Sequence, residues 1–78
     1  MRYDLQQMQQ GDSGSAVAIA QRLLILYGIK GVGAVDGNFG LATTNAVKEF
    51  QRVQNLTVKD GIVGTATWNK LTHPAGTT

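Results

Sequence analysis

The chain has 78 residues, which is enough for one small domain and too few for two. Seven lysines and arginines against five acidic residues give a net charge of +2. The basic residues are scattered along the chain, which argues against a nucleic-acid-binding arm. The chain is 42% hydrophobic and 15% charged and has no cysteine, so we expect a folded domain without disulfides or a thiolate nucleophile.

The first predicted helix covers residues 14–27, where apolar residues recur at helical spacing. The periodic residues are Val17, Ala20, Leu24 and Tyr27, and the residues that widen their stripe are Ile19, Leu23 and Leu26. Because apolar residues cover so much of the circumference, we predict that this helix is the central and most buried one.

Residues on both sides of this helix are suited to cap it. Asp12 and Ser13 precede it and offer side-chain oxygens to its first backbone N–H groups. Gly28 follows it and favours the left-handed conformation that ends a helix, with Ile29 folding back toward Leu24 as in a Schellman motif.

The second predicted helix, residues 41–54, is amphipathic. Its apolar face consists of Ala46, Val47, Phe50 and Val53, and its polar face of Lys48, Glu49 and Arg52. Asn55 and Leu56 follow this helix as Gly28 and Ile29 follow the first, so we expect it to end in the same way.

A short third helix is predicted from Thr65 to Leu71, with Trp68 and Leu71 three residues apart. The connections at residues 29–35 and 57–63 have room for no more than short extended pieces. We therefore predict an all-α fold, a small three-helix orthogonal bundle.

An internal repeat precedes the second and third helices. Residues 36–45 and 60–69 share Asp, Gly, Gly, Ala, Thr and Asn at identical places, and Gln51-Arg52 echoes Gln21-Arg22. We interpret each Asp-Gly-x-x-Gly corner as one loop-to-helix unit that is used twice.

Each part of this corner has a structural use. The Asp carboxylate accepts hydrogen bonds from the turn, the next Gly supplies a positive φ, the second Gly stands where the helix begins, and the residue before it points into the core. The residues concerned are Asp36, Gly37, Phe39 and Gly40 in the first copy and Asp60, Gly61, Val63 and Gly64 in the second.

Metal and cofactor sites are not predicted. A calcium loop would need a bidentate Glu where the two copies have Val47 and Leu71. His73 is the single histidine, and neither glycine-rich phosphate-binding pattern occurs. No apolar run is long enough to cross a membrane, and no signal peptide begins the chain.

No catalytic residue is predicted either. The acidic residues are Asp4, Asp12, Asp36, Glu49 and Asp60. Two of them are assigned to turns, and a small bundle offers little cleft in which a pair of carboxylates could face each other.

Three registered blocks of residues resemble the peptidoglycan-binding domain type 1 family. The blocks are Met8-x-x-Gly11-x-x-Gly14-x-x-Val17-x-x-Ala20-Gln21-x-x-Leu24-x-x-x-Gly28, Asp36-Gly37-x-Phe39-Gly40-x-x-Thr43-x-x-Ala46-Val47-x-x-Phe50-Gln51 and Asp60-Gly61-Ile62-Val63-Gly64-x-x-Thr67-Trp68-x-x-Leu71. The resemblance implies a three-helix, non-catalytic module that holds an attached bacterial or phage cell-wall hydrolase, an endolysin or autolysin, against the wall. A similar helical module forms the propeptide of matrix metalloproteinases, so a protein-docking module that covers a partner enzyme is the alternative.

Peptidoglycan combines amino sugars with short peptides that carry carboxylates. Binding it calls for an aromatic surface, amides and a cation. The candidates are Tyr27, Asn38, Asn45, Arg52, Gln54 and Trp68. Trp68 is also well placed for the core, Tyr27 is expected to direct its hydroxyl to water, and Arg52 suits a solvated surface equally well.

The resulting expectation is a module over residues 8–72, with an N-terminal extension at residues 1–7 and a linker or tail at residues 73–78. We expect a monomer whose partners are peptidoglycan and the catalytic domain of a parent hydrolase, with no nucleic-acid, membrane or cofactor partner. We expect it at the bacterial cell wall or in the extracellular space, or as part of a phage lysin that is released at lysis.

Overall fold

The computed structural model describes residues 7–73. This part of the chain forms three helices, α1 (Ser15–Leu26), α2 (Leu41–Val53) and α3 (Thr65–Thr72), and no strand. Two isolated antiparallel bridges pair Met8 with Val63 and Ser13 with Asn38. The predicted all-α, three-helix fold is confirmed. The predicted extension and tail lie outside the described residues, apart from Gln7 and His73.

The core lies between α1 and the other two helices, because α1 packs against both α2 and α3. Helices, connections and the N-terminal segment all contribute to it, and burying their apolar surface is the main favourable term in folding. The buried apolar residues are Met8, Val17, Ala20, Leu24, Val32, Phe39, Ala46, Val47, Phe50, Val63, Trp68 and Leu71.

Only one side of α1 is buried. Val17 and Leu24 lie in the core, whereas Ile19 is 55% exposed and Leu26 is 73% exposed. The prediction that these two residues widen a buried stripe is wrong, because two short helices cover only part of a third helix. Val53 on α2, which was expected on the buried face, is 54% exposed.

Both long helices end in the predicted Schellman motif. Gly28 and Asn55 have φ values of 83° and 56°. In each case the N–H of the next residue, Ile29 or Leu56, donates to the carbonyl five residues earlier, at 3.0 and 2.9 Å. These bonds satisfy backbone carbonyls that the helix end would leave without partners.

The start of α1 differs from the prediction. Its N-cap is Gly14, with φ 132°, and no side chain caps the helix. The Asp12 carboxylate accepts the N–H of Gln9 at 2.9 Å instead, and Ser13 pairs with Asn38. The predicted Asp12 and Ser13 caps are therefore wrong, because Gly14 occupies the N-cap position and both residues lie before it.

A buried glutamine amide on α1 holds the first corner, residues 36–43. Oε1 of Gln21 accepts the N–H of Gly37 at 3.0 Å, and its Nε2 lies 3.1 Å from Asp36 Oδ1 and 3.0 Å from both Asn38 O and Thr43 Oγ1. Asp36 Oδ1 also accepts the N–H of Asn38 at 2.9 Å. Because the amide is fully bonded, it can be buried at little cost.

The same arrangement recurs at the second corner, residues 60–67, around Gln51 of α2. Its Oε1 accepts the N–H of Gly61 at 3.0 Å, and its Nε2 lies 3.0 Å from Ile62 O and Thr67 Oγ1 and 3.4 Å from Asp60 Oδ1. Asp60 Oδ1 accepts the N–H of Ile62 at 2.9 Å. Each of the first two helices thus fastens the beginning of the next one.

The first glycine of each corner is constrained twice. Gly37 and Gly61 have φ values of 75° and 78°. A Cβ atom on Gly61 would lie 2.9 Å from Thr44 Cγ2, and one on Gly37 would lie 3.0 Å from the carbonyl oxygen of Gly14. Any other residue here would meet both backbone strain and a close contact.

Residues 8–14 join the two corners through backbone hydrogen bonds. Met8 exchanges two of them with Val63 of the second corner, at 3.0 and 2.8 Å. Phe39 of the first corner donates to Asp12 O at 2.9 Å and accepts from the N–H of Gly11 at 2.8 Å. This short segment therefore belongs to the folded unit.

Replacing Gln51 by leucine should lower the free energy of unfolding by about 2–4 kcal/mol, because it leaves the N–H of Gly61 and the acceptors of Ile62 and Thr67 without their partner. Urea unfolding followed by circular dichroism measures the change. Gln9→Leu is the matched control, since Gln9 is exposed and its side chain makes no hydrogen bond within residues 7–73. Equal stabilities of the two variants would contradict the role assigned to the amide.

Stability should also depend on the charge of Asp36. The N–H of Asn38, and then the amide of Gln21, hold the pKa of Asp36 below its ordinary value. A depressed pKa in the folded state contributes stability above the unfolded pKa of about 4, and this contribution is lost as the pH falls through the folded pKa.

Asp36→Asn should therefore be less stable than the original chain near pH 7, and the difference should shrink near pH 3. Asparagine keeps an acceptor oxygen at the same position, so the comparison isolates the charge. The measurement is the urea midpoint of both proteins at the two pH values. A difference that stays constant with pH would show that the Asp36 charge has no part in stability.

Candidate functional site

A surface groove of about 560 Å³ lies beside the C-terminal ends of α1 and α2. The residues that line this α1–α2 groove are Tyr27, Gly28, Ile29, Lys30, Glu49 and Val53. Its volume is within the usual range of pockets that hold small ligands, and its lining mixes apolar with charged side chains. The Schellman motif that ends α1 places Lys30 opposite α2.

Tyr27 is held in the groove at two points. Its ring meets the ring of the buried Phe50 edge-on, with centroids 5.0 Å apart and planes at 71°. Its hydroxyl donates to the carbonyl oxygen of Lys70 on α3 at 2.5 Å. The backbone of α3 thus provides an acceptor for this hydroxyl at an exposed position.

The charged groups at the groove differ in their partners. Arg52 donates two hydrogen bonds to Glu49, of which the one from Nε to Oε1 is 3.0 Å long. This contact holds the pKa of Glu49 below its ordinary value and raises the pKa of Arg52. Lys30 is exposed and makes no hydrogen bond or ion pair within the described part of the chain.

Trp68 is a buried residue. It is 2% exposed and forms part of the core beside Leu71. The sequence leaves both a ligand-binding surface and the core open for this indole, and the structure places it in the core.

The remaining sequence candidates are dispersed. Asn38 is exposed in the first corner, and its backbone bonds both Gln21 and Asp36. Asn45 is exposed on α2, and Gln54 is half-buried at the C-cap of that helix, directly after Val53 of the groove. The structure thus brings Tyr27 into the groove with Arg52 and Gln54 beside its α2 wall, and leaves Asn38 and Asn45 outside its lining.

Sequence reasoning missed Lys30 and Val53 as groove residues, and it missed the roles of Gln21 and Gln51. The echo of Gln21 in Gln51 was the available signal for the two amides. No comparable signal marks Lys30, because its position depends on how the connection after α1 folds.

Each corner also forms a smaller depression. The first, about 240 Å³, has Asp36 and Asn38 in its lining, and the second, about 270 Å³, has Asp60 and Ile62 at the equivalent places. Among residues 7–73, no three His, Cys, Asp or Glu side chains come together in a way that could hold a metal ion. None of the helices in that range has the length and apolar character needed to cross a membrane.

Comparison with known sequences identifies a family and a curated relative. Residues 13–71 fit the protein family described as "Putative peptidoglycan binding domain". Among curated proteins, the chain is similar to the zinc D-Ala-D-Ala carboxypeptidase of Streptomyces albus G, with 43% identity over 67 residues. This match covers 82% of the chain and 25% of the carboxypeptidase, so the chain spans about a quarter of that relative.

Solved structures show the same similarity. The SleB N-terminal domain matches with a TM-score of 0.82 and 35% identity, over 91% of this chain and 94% of that one. A peptidoglycan-binding protein from Clostridioides difficile, in complex with glutamine hydroxamate, matches with a TM-score of 0.78 and 42% identity. This match covers 86% of this chain and 40% of that one. The endolysin of Burkholderia AP3 phage matches with a TM-score of 0.79 and 39% identity, over 86% of this chain and 25% of that one.

Because Trp68 is the single tryptophan of the chain and is buried, its fluorescence should be blue-shifted and poorly quenched by iodide. Saturating the chain with a ligand should leave this quenching unchanged. Unfolding in urea provides the control, since it should restore full quenching. Strong quenching of the folded chain, or protection that appears only when a ligand binds, would instead place Trp68 at a binding surface.

Proposed function

The chain belongs to the peptidoglycan binding domain family, and from this membership we propose that it is a non-catalytic module that binds peptidoglycan. We further propose that it targets an attached cell-wall hydrolase, of the endolysin or autolysin kind, to its substrate. The observation that carries the proposal is the family match over residues 13–71, which takes in both corners and nearly all of the three helices.

The states of the acidic side chains support binding rather than catalysis. Asp36 and Asp60 accept hydrogen bonds within their own turns and lie against the glutamine amides, and Glu49 is paired with Arg52. A general acid or base must reach the proton that it transfers. The first two carboxylates are instead engaged in the corners, and Glu49 in an exposed ion pair within α2.

The relatives support a hydrolase as the attached protein. The chain matches only a quarter of the zinc carboxypeptidase and a quarter of the phage endolysin, so each of those proteins has a large further part. We infer that this module likewise works as one part of a longer protein whose catalytic domain lies elsewhere. Such a protein would act at the bacterial cell wall, as an exported enzyme or as a phage lysin released at lysis.

Weak binding at one site is sufficient for this role. The wall repeats the same chemical unit many times, and attachment to a second wall-binding domain raises the local concentration of each binding partner. A monomer therefore meets the requirement. We also propose residues 8–72 as the limits of the module, because the backbone bonds between Met8 and Val63 make the N-terminal segment part of the fold.

Co-sedimentation with purified, protein-free peptidoglycan sacculi tests the proposal. The chain, with its fold verified by circular dichroism, should pellet with sacculi at low salt and also at about 0.15 M salt. Salt screens the attraction between exposed charges, and a net charge of +2 contributes little of the binding that we propose. Soluble fragments of the same peptidoglycan should release it. Cellulose particles serve as the control polymer and should leave the chain in solution.

Folded protein that stays in the supernatant with sacculi at low salt would overturn the proposal. If the chain instead binds an isolated hydrolase domain and not sacculi, the alternative of a docking module that covers a partner enzyme is favoured. Sacculi from several bacteria extend the test to different wall chemistries.

A further inference from the structure

From the lining of the α1–α2 groove we propose that this groove binds the peptide stems of peptidoglycan, through a free carboxylate of the stem that faces Lys30. This proposal rests on the proposed function, because it names which part of the polymer the module contacts. The groove lies beside the C-terminal turns of α1 and α2, between Lys30 after α1 and Glu49 and Val53 on α2.

The charge of the groove selects an anionic group. Both carboxylate oxygens of Glu49 already accept hydrogen bonds from Arg52, so the pair is close to neutral as a unit. Lys30 has no such partner within residues 7–73. A carboxylate that enters the groove therefore meets one uncompensated ammonium group, and it adds a charge-assisted contact without breaking an existing one.

The uncharged lining suits small apolar side chains. Val53 is 54% exposed, and the partly buried Ile29 and Tyr27 lie on the other wall. Methyl groups such as those of alanine residues in a stem could cover this surface and remove it from water. Binding would thus bury apolar area that the free module leaves exposed.

The lining is less suited to the sugars. No Asn or Gln side chain is among the groove residues, although an acetamido group needs a donor or acceptor of that kind. The hydroxyl of Tyr27 already donates to the carbonyl of Lys70. The corner depressions are poor alternatives for a stem, because Asp36 and Asp60 in their linings would repel its carboxylate.

Titration of the isotope-labelled full chain, followed by amide NMR shifts, tests the proposal with three probes. These are a synthetic stem peptide that ends in D-alanine with a free carboxylate, the same peptide with a C-terminal amide, and glycan strands freed of their stems. The free-acid peptide should shift the amides of Gly28, Ile29, Lys30 and Val53. The amidated peptide should bind roughly fivefold more weakly, and the bare glycan should leave these amides unmoved.

Lys30→Glu should weaken binding of the free-acid peptide roughly tenfold relative to Arg22→Glu. Arg22 is exposed on α1 and is not among the groove residues. The two variants change the net charge equally, so a loss common to both reflects general electrostatics. Circular dichroism checks that each variant folds.

Stem shifts that map to the corners, bare glycan that moves the groove amides, or equal losses in the two variants would each overturn the proposal. A chain that binds sacculi but not stem peptides would overturn it while leaving the proposed function intact. A chain that binds neither sacculi nor any probe would instead remove the proposed function itself.

Discussion

The fold depends on two buried glutamine amides, one in each of the first two helices. A tight turn at the start of a helix leaves backbone groups without partners, and an unpaired buried group costs more than a formed hydrogen bond gains. Gln21 and Gln51 satisfy such groups at both corners and bond Thr43 and Thr67 in the first turns of α2 and α3. A chain without disulfides thereby fixes where each following helix begins.

The two corners and the α1–α2 groove have no residue in common. The first corner occupies the N-terminal end of α2, whereas the α1–α2 groove lies beside the C-terminal turns of the same helix. Asp36 and Asp60 are engaged by the corners, so the charge presented in the groove depends on Lys30 and on the Glu49–Arg52 pair. Lys30 and Glu49 can therefore be changed without disturbing the hydrogen bonds of the corners, whereas Tyr27 also bonds the backbone of α3.

The sequence predicted features that depend on local conformation. Helical periodicity identified the three helices. Gly28 and Asn55 marked the Schellman motifs, because glycine and asparagine adopt a positive φ more readily than other residues. The sequence did not predict that Ile19 and Leu26 are exposed, since periodicity fixes the phase of an apolar stripe but not how much of it neighbours cover. The Asp12 cap was wrong because Gly14 is the N-cap and the carboxylate accepts the N–H of Gln9.

The α1–α2 groove was harder to predict for the same physical reason. Tyr27 could be proposed from chemistry alone, but Lys30 and Val53 become neighbours only after the connection that follows α1 folds against α2. Gln21 and Gln51 lie 15 and 9 residues before the aspartates that they contact. Because this glutamine-to-aspartate spacing differs between the two copies, it does not identify the contact. A small module whose interior is used by such contacts has only shallow grooves left on its surface. In the proposed function, repetition of the ligand along the wall compensates for the weak binding that one such groove would give.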